Sequence, residues 1–139
     1  MVETIENKQD REAMAVEEMK RASDELRSAR VLYDNKLYFK SASSAYYAVY
    51  HSAKALLLLK GIAPKSHEGV ERMFALHYIR SGEIEIQIGK TIGKLMKMRE
   101  EADYYPEVPF EKNETLSAIK MATAFVRTAR ERIKEKNFT

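Results

Sequence analysis

Residues 41–59, SASSAYYAVYHSAKALLLL, carry two patterns on one segment. At about 3.6 residues per turn, Ala42, Ala45, Val49 and Leu56 form an apolar stripe, while Ser44, Tyr47 and His51 fall within about 60° of one another on a polar-capable one. Tyr46 and Tyr50 add two more polar rings than a core helix requires. The segment therefore predicts an amphipathic helix that both packs and presents a site.

Working outward, this helix runs from about Leu37 to Lys60, with Gly61 as a left-handed cap and Pro64 confirming the stop. Upstream, Ala15, Met19, Ala22, Leu26, Ala29 and Tyr33 keep a helical spacing with charged residues between them, predicting a long first helix that ends at the turn Asp34-Asn35. Downstream, Ser66 is placed to cap a short helix over His67 to Ile79, its apolar face formed by Val70, Phe74 and either Ile79 or Leu76. Ser81-Gly82 ends it.

From Glu83, the residues Ile84, Ile88, Ile92, Leu95 and Met98 predict a further helix to about Tyr104, with a strand start over Glu83 to Ile88 as the minor alternative. Gly89 and Gly93 lie four apart, a spacing that permits a close helix approach although each costs about 1 kcal/mol of helix propensity. Pro106 and Pro109 bracket a short connection. Leu116, Ile119, Ala122, Val126, Ala129 and Ile133 mark the last helix. The expected fold is all-α: an antiparallel up-and-down four-helix bundle with an additional short helix, forming one domain over residues 1–139. Exposed apolar residues such as Tyr38 and Phe39 leave room for a dimer interface.

Composition narrows the function classes. The chain has no cysteine, which excludes zinc-thiolate sites and thiol nucleophiles and fits a reducing cytosol. The N-terminus is too charged for a secretory or membrane segment, and the run Ala55 to Leu59 is too short to span a bilayer, so a soluble, cytoplasmic protein is expected. A net charge of +3, from 24 basic and 21 acidic residues, tolerates an acidic partner without demanding one. His51, His67 and His77 lack metal-ligand spacing, and the glycines form no phosphate loop, so no metal and no cofactor are expected.

Three constellations remain. His51 follows Tyr47 by one turn and adjoins Tyr50; it is placed either for proton transfer near neutral pH or for a half-buried hydrogen bond to a tyrosine. Arg99 and Asp103 sit four apart beside Tyr104, as a surface ion pair or, with Arg99 facing the tyrosine-histidine stripe, as a phosphate hold. Arg127, Arg130 and Lys134 make a basic stripe on the last helix that reads best as a solvated face.

The strings SASSAYYAVYHSAKALLLLKGI, PKSHEGVERMF, REEADYY and AIKMATAFVRTARERI, in this order over roughly Met19 to Ile133, resemble the HEPN domain family (higher eukaryotes and prokaryotes nucleotide-binding). The resemblance implies an all-α bundle, usually a homodimer in prokaryotes, often paired with a minimal nucleotidyltransferase as toxin and antitoxin. It further implies that active members are metal-independent ribonucleases, with an arginine followed within two turns by a histidine on one helix and two copies meeting across the dimer. His51 matches that histidine, and Tyr46 and Tyr47 match its aromatic pair. Ser44 stands where the arginine is expected, and a serine cannot neutralise a phosphate, so the implied endoribonuclease is weakened. Arg99 is the candidate substitute cation.

The expected function is accordingly a nucleotide- or RNA-binding protein acting as a dimer with a nucleotidyltransferase-fold partner in a toxin-antitoxin-type system. The expected binding residues are Ser44, Tyr46, Tyr47, Tyr50, His51, Arg99, Asp103 and Tyr104. Two alternatives stand beside it: a metal-independent ribonuclease using His51 and Arg99 as catalytic residues, and a non-catalytic helical interaction module.

Overall fold

The computed structural model describes residues 2–4, 7–105 and 111–137. Along them run strand β1 (Val2–Thr4), helix α1 (Lys8–Asp34), helix α2 (Tyr38–Leu59), strand β2 (Ile62–Pro64), helix α3 (His67–Phe74) continued by a π turn (Ala75–Ile79), helix α4 (Ile86–Tyr104) and helix α5 (Lys112–Asn137). The Pro106 to Pro109 connection lies outside the described residues.

The helices form where their apolar periods begin; α1 and α3 also have a polar side chain that receives a free backbone N–H group, whereas α2 and α4 start without one. Asn7 caps α1 by accepting from the amide of Asp10 at 3.1 Å, and Ser66 caps α3 by accepting from Gly69 at 2.9 Å. Gly61, at φ 77°, takes the left-handed conformation that follows the end of α2. Lys36, in the α1–α2 turn, adopts φ 63° although it bears a side chain.

Long-range contacts fix the helix directions. Ser41 donates to the carbonyl of Ala29 while His51 meets Glu18, so α1 and α2 are antiparallel. Arg30 donates to Thr123 and Arg130 to Ser23, so α5 also runs opposite to α1. Arg99 lies over Tyr47, whereas Glu83, just before α4, meets Lys60 at the end of α2. The four long helices thus run up, down, up and down, with α2 packed against each of the other three. Their core is built from Ala22, Ala45, Val49, Leu56, Leu95, Phe125 and Val126 and their neighbours.

Between α2 and α4 the chain makes an excursion. The β2 segment runs back along α2 and pairs antiparallel with β1, an unexpected two-stranded ribbon where the sequence had suggested only a helix stop at Pro64. Then α3 returns alongside α2, its His67 level with Tyr46 and the Tyr78 hydroxyl donating to the carbonyl of Leu56. Of the two apolar choices at its end, Ile79 packs inward and Leu76 is 43% exposed. The following helix begins at Ile86 rather than Glu83, because Glu83 is held in the preceding turn by Lys60 and by Arg132 of α5, whose guanidinium lies 3.0 Å from its carboxylate. No strand forms over Glu83 to Ile88.

Gly89 and Gly93 let α4 approach this excursion closely. A Cβ on Gly89 would fall 2.1 Å from the Ile79 side chain, and one on Gly93 would fall 2.8 Å from the Glu71 carboxylate. No described helix is long and apolar enough to cross a membrane.

Candidate functional site

The inward-turned side of α1 carries the half-buried carboxylates of Glu18 and Glu25. Glu18 lies three residues after Ala15 and four before Ala22, both fully buried, so its side chain is directed toward α2 and is only 12% exposed. A carboxylate in that position requires partners, and two residues one turn apart on α2 supply them. His51 Nδ1 lies 2.6 Å from Oε2 of Glu18, and Lys54 Nζ lies 3.4 Å from Oε1. Burial alone would raise the Glu18 carboxyl, but the hydrogen bond from His51 and the charges of Lys54 and His51 outweigh it and hold the group below its ordinary value. An ionised carboxylate can only accept, so it fixes the proton of His51 on Nδ1 and leaves Nε2 as the nitrogen able to exchange one.

His51 is thus half-buried, as one sequence reading expected, but its partner is a carboxylate of α1 rather than a tyrosine. The histidine bonded to a tyrosine is His67. Its Nδ1 lies 2.6 Å from the Tyr46 hydroxyl, and its ring stacks on Tyr50 with centroids 4.2 Å apart and planes 9° from parallel. The Ser66 cap and the first turn of α3 set this placement. Burial, then the positive charge of Arg99, depresses the His67 imidazole below its ordinary value, so it is neutral at pH 7. Tyr46 is fully buried, and that burial pushes its phenol far above the ordinary range. Its hydroxyl therefore ends inside the cluster, not at the rim. Tyr47 stands edge-on to Tyr50 and contacts both imidazoles.

A cation enters from α4. The Arg99 guanidinium lies 5.1 Å from the centroid of Tyr47 and 5.6 Å from that of Tyr46, within cation–π range of both. Among the described residues no ion pair joins it to Asp103, so the four-residue spacing on α4 does not hold Arg99 at the surface. Asp103 is exposed and Tyr104 is 81% exposed; neither makes a described ring contact or ion pair with the cluster. Ser44 is half-buried on α2, one turn before Tyr47. The structure thus brings together Tyr46, Tyr47, Tyr50, His51 and Arg99, and leaves Asp103 and Tyr104 on the outer surface of α4. Arg127, Arg130 and Lys134 are exposed, with Arg130 donating to Ser23.

Sequence reasoning missed Glu18, Lys54 and His67. Glu18 had a visible signal, a carboxylate placed i+3 and i−4 to two alanines of the inward stripe. Lys54 follows His51 by one turn. His67 had none, because its approach depends on the β2 excursion. Chemically, the cluster offers the half-buried Tyr47 ring for a base, a guanidinium for a phosphate, and a carboxylate-oriented imidazole for a proton, while Tyr46 and Tyr50 are buried behind them.

Comparison with known proteins places these residues in context. The HEPN domain model matches residues 15–133. A Methanocaldococcus jannaschii protein named "Putative toxin" is 43% identical over 114 residues, covering 82% of this chain and 84% of its own. A second "Putative toxin" of that organism is 29% identical over 119 residues, 86% of this chain and 81% of its own. A UPF0332 protein of Pyrococcus horikoshii is 54% identical over 67 residues, 48% of this chain and 47% of its own.

Proposed function

Because the chain belongs to the HEPN domain family, we propose that it is the toxin-type member of a two-protein system and binds nucleotide or RNA at the tyrosine-histidine-arginine cluster. In this reading residues 1–139 act as one cytoplasmic domain, as a homodimer beside a nucleotidyltransferase-fold antitoxin. The names of the two Methanocaldococcus relatives support the toxin class. The observation that carries the binding reading is the Arg99 guanidinium 5.1 Å over Tyr47, one turn from His51. Ser44 leaves α2 without the cation that the sequence motif calls for, and α4 brings one to the same aromatic pair. A planar guanidinium can grip phosphate oxygens in a bidentate manner, while the half-buried Tyr47 ring stacks on a base.

The Glu18–His51 hydrogen bond favours a second reading, metal-independent cleavage of RNA. Nε2 of His51 would take the proton of a 2′-hydroxyl as its oxygen attacks the adjacent phosphorus. The bond from phosphorus to the 5′-oxygen would break as that oxygen takes a proton from water, leaving a 2′,3′-cyclic phosphate, and Arg99 would stabilise the charge that develops on the phosphoryl oxygens.

Titration of the purified chain with a nucleoside triphosphate and with a short single-stranded RNA tests binding. Salt-sensitive binding that Arg99→Ala weakens is expected; no binding at low salt leaves only a helical interaction module. Cleavage without added metal that disappears in His51→Ala supports the second reading, and equal cleavage by both proteins sinks it. Expression alone and with the neighbouring gene product, recording growth, RNA integrity and co-purification, tests the toxin assignment and the partner.

A further inference from the structure

Helix α4 carries a second basic feature, on the face turned away from its buried side. Lys90, Lys94 and Lys97 are spaced four and three apart, so their side chains form one stripe about 10 Å long. All three are exposed, and no carboxylate pairs with them among the described residues. They line one wall of a groove whose other wall is α3 and the π turn, with Gly89 and Gly93 along its floor. The absent side chains at those glycines let the two walls approach closely, with Ile79 and Glu71 of the opposite wall lying against them.

The groove leads to the cluster. Gly93 faces Glu71 and Gly89 faces Ile79, so α3 and α4 are antiparallel across it. One turn before Glu71 is His67, and one turn after Gly93 is Lys97. The lysine stripe therefore ends level with the imidazole that stacks on Tyr50, and Arg99 lies on the cluster side of the same turn of α4.

We infer that the ligand is a single-stranded polynucleotide whose phosphate backbone follows Lys90, Lys94 and Lys97 along the α3–α4 groove to the tyrosine-histidine-arginine cluster. The inference rests on the binding reading given above and names its ligand class. A mononucleotide has no phosphate that could reach along a stripe of this length. Unpaired lysines in a line suit a polyanion, and rings at the end of that line suit an unstacked base. Each neutralised phosphate releases counterions, and for single strands the slope of log affinity against log salt changes by about 0.7 per contact.

The experiment compares the full chain with Lys90→Gln/Lys94→Gln/Lys97→Gln, all surface positions, after circular dichroism confirms equal helicity. Binding of a short oligouridylate RNA and of UMP is measured between about 50 and 200 mM salt. The expected result is a slope about two units shallower in the triple variant, so that this salt rise costs the wild type about twenty-fold more affinity than the variant. UMP binding should be the same in both proteins. Equal RNA slopes overturn the track while leaving the cluster reading intact, provided Arg99→Ala still weakens both ligands. Failure of the wild type to bind either ligand overturns the cluster reading itself. An unchanged RNA slope with loss of partner co-purification in the triple variant overturns the polynucleotide in favour of an acidic protein surface.

Discussion

The Nδ1 atom of His51 lies 2.6 Å from Oε2 of Glu18, a hydrogen bond that joins α2 to α1 through side chains that are 16% and 12% exposed. The pair does two things at once: it aligns the antiparallel helices and selects the histidine tautomer.

Glu18→Gln is therefore expected to lower stability at neutral pH by about 1.5–3 kcal/mol, the range for a hydrogen bond to a charged group. Because the folded carboxyl titrates below its ordinary 4.5, its contribution is complete above that value and is lost as pH falls through the lower folded one. The gap between wild type and variant in urea denaturation should close on acidification. A gap that persists unchanged at low pH would contradict this origin.

His67 supplies a titration test. Its imidazole is held below the ordinary 6.5 by burial and then by Arg99, so folding loses stability as pH falls from that value through the depressed one. In Arg99→Ala the His67 resonances should titrate at higher pH than in the wild type, moving part of the way back because burial remains. Identical NMR titration curves in the two proteins would separate Arg99 from the cluster.

The two glycines of α4 should respond differently to alanine. At Gly89 the new methyl would meet Ile79 at 2.1 Å, whereas at Gly93 it would meet only the mobile end of Glu71 at 2.8 Å. Gly93→Ala is expected to be neutral or stabilising by up to about 1 kcal/mol through helix propensity. Gly89→Ala should be less stable than Gly93→Ala by about 1–3 kcal/mol, as in other overpacked sites. Equal melting temperatures would show that Ile79 yields freely.

Lys36 has φ 63° in the turn between α1 and α2 and is exposed. Glycine meets no Cβ penalty in that conformation, so Lys36→Gly should stabilise the fold by about 0.5–1 kcal/mol after its own entropy cost. Thermal denaturation measures it directly; a lower melting temperature would mean that the lysine side chain has a role beyond the turn.

The long helices were legible because their apolar periods persist over several turns, and some boundaries carry a defined turn or capping chemistry: Ser66, Gly61, and the Ser81-Gly82 turn. The ribbon was not, since Val2–Thr4 and Ile62–Pro64 are three residues each and pair across almost the whole of α1 and α2. Short strands carry too little pattern, and their pairing is a tertiary fact. The same distinction separates the site residues. Tyr46, Tyr47, Tyr50 and His51 share a helix and could be found by spacing. Glu18, His67 and Arg99 come from three other helices, and only the packing of α1, α3 and α4 on α2 gathers them. The chemistry of Arg99 is legible in the sequence, but the direction of its side chain depends on α4 running antiparallel to α2.

That separation has a further consequence. When an arginine and a histidine share one helix, their spacing survives wherever that helix survives, including in a loosely packed state. In this chain the guanidinium belongs to α4 and the imidazole to α2, so their proximity measures docking rather than helix content. A compact state retaining full helicity but fluctuating tertiary contacts would scatter the two groups. The cluster is thus a built-in marker of completed folding: a newly made or partly unfolded chain would lack the assembled group of rings and cation, and only the finished bundle would hold it.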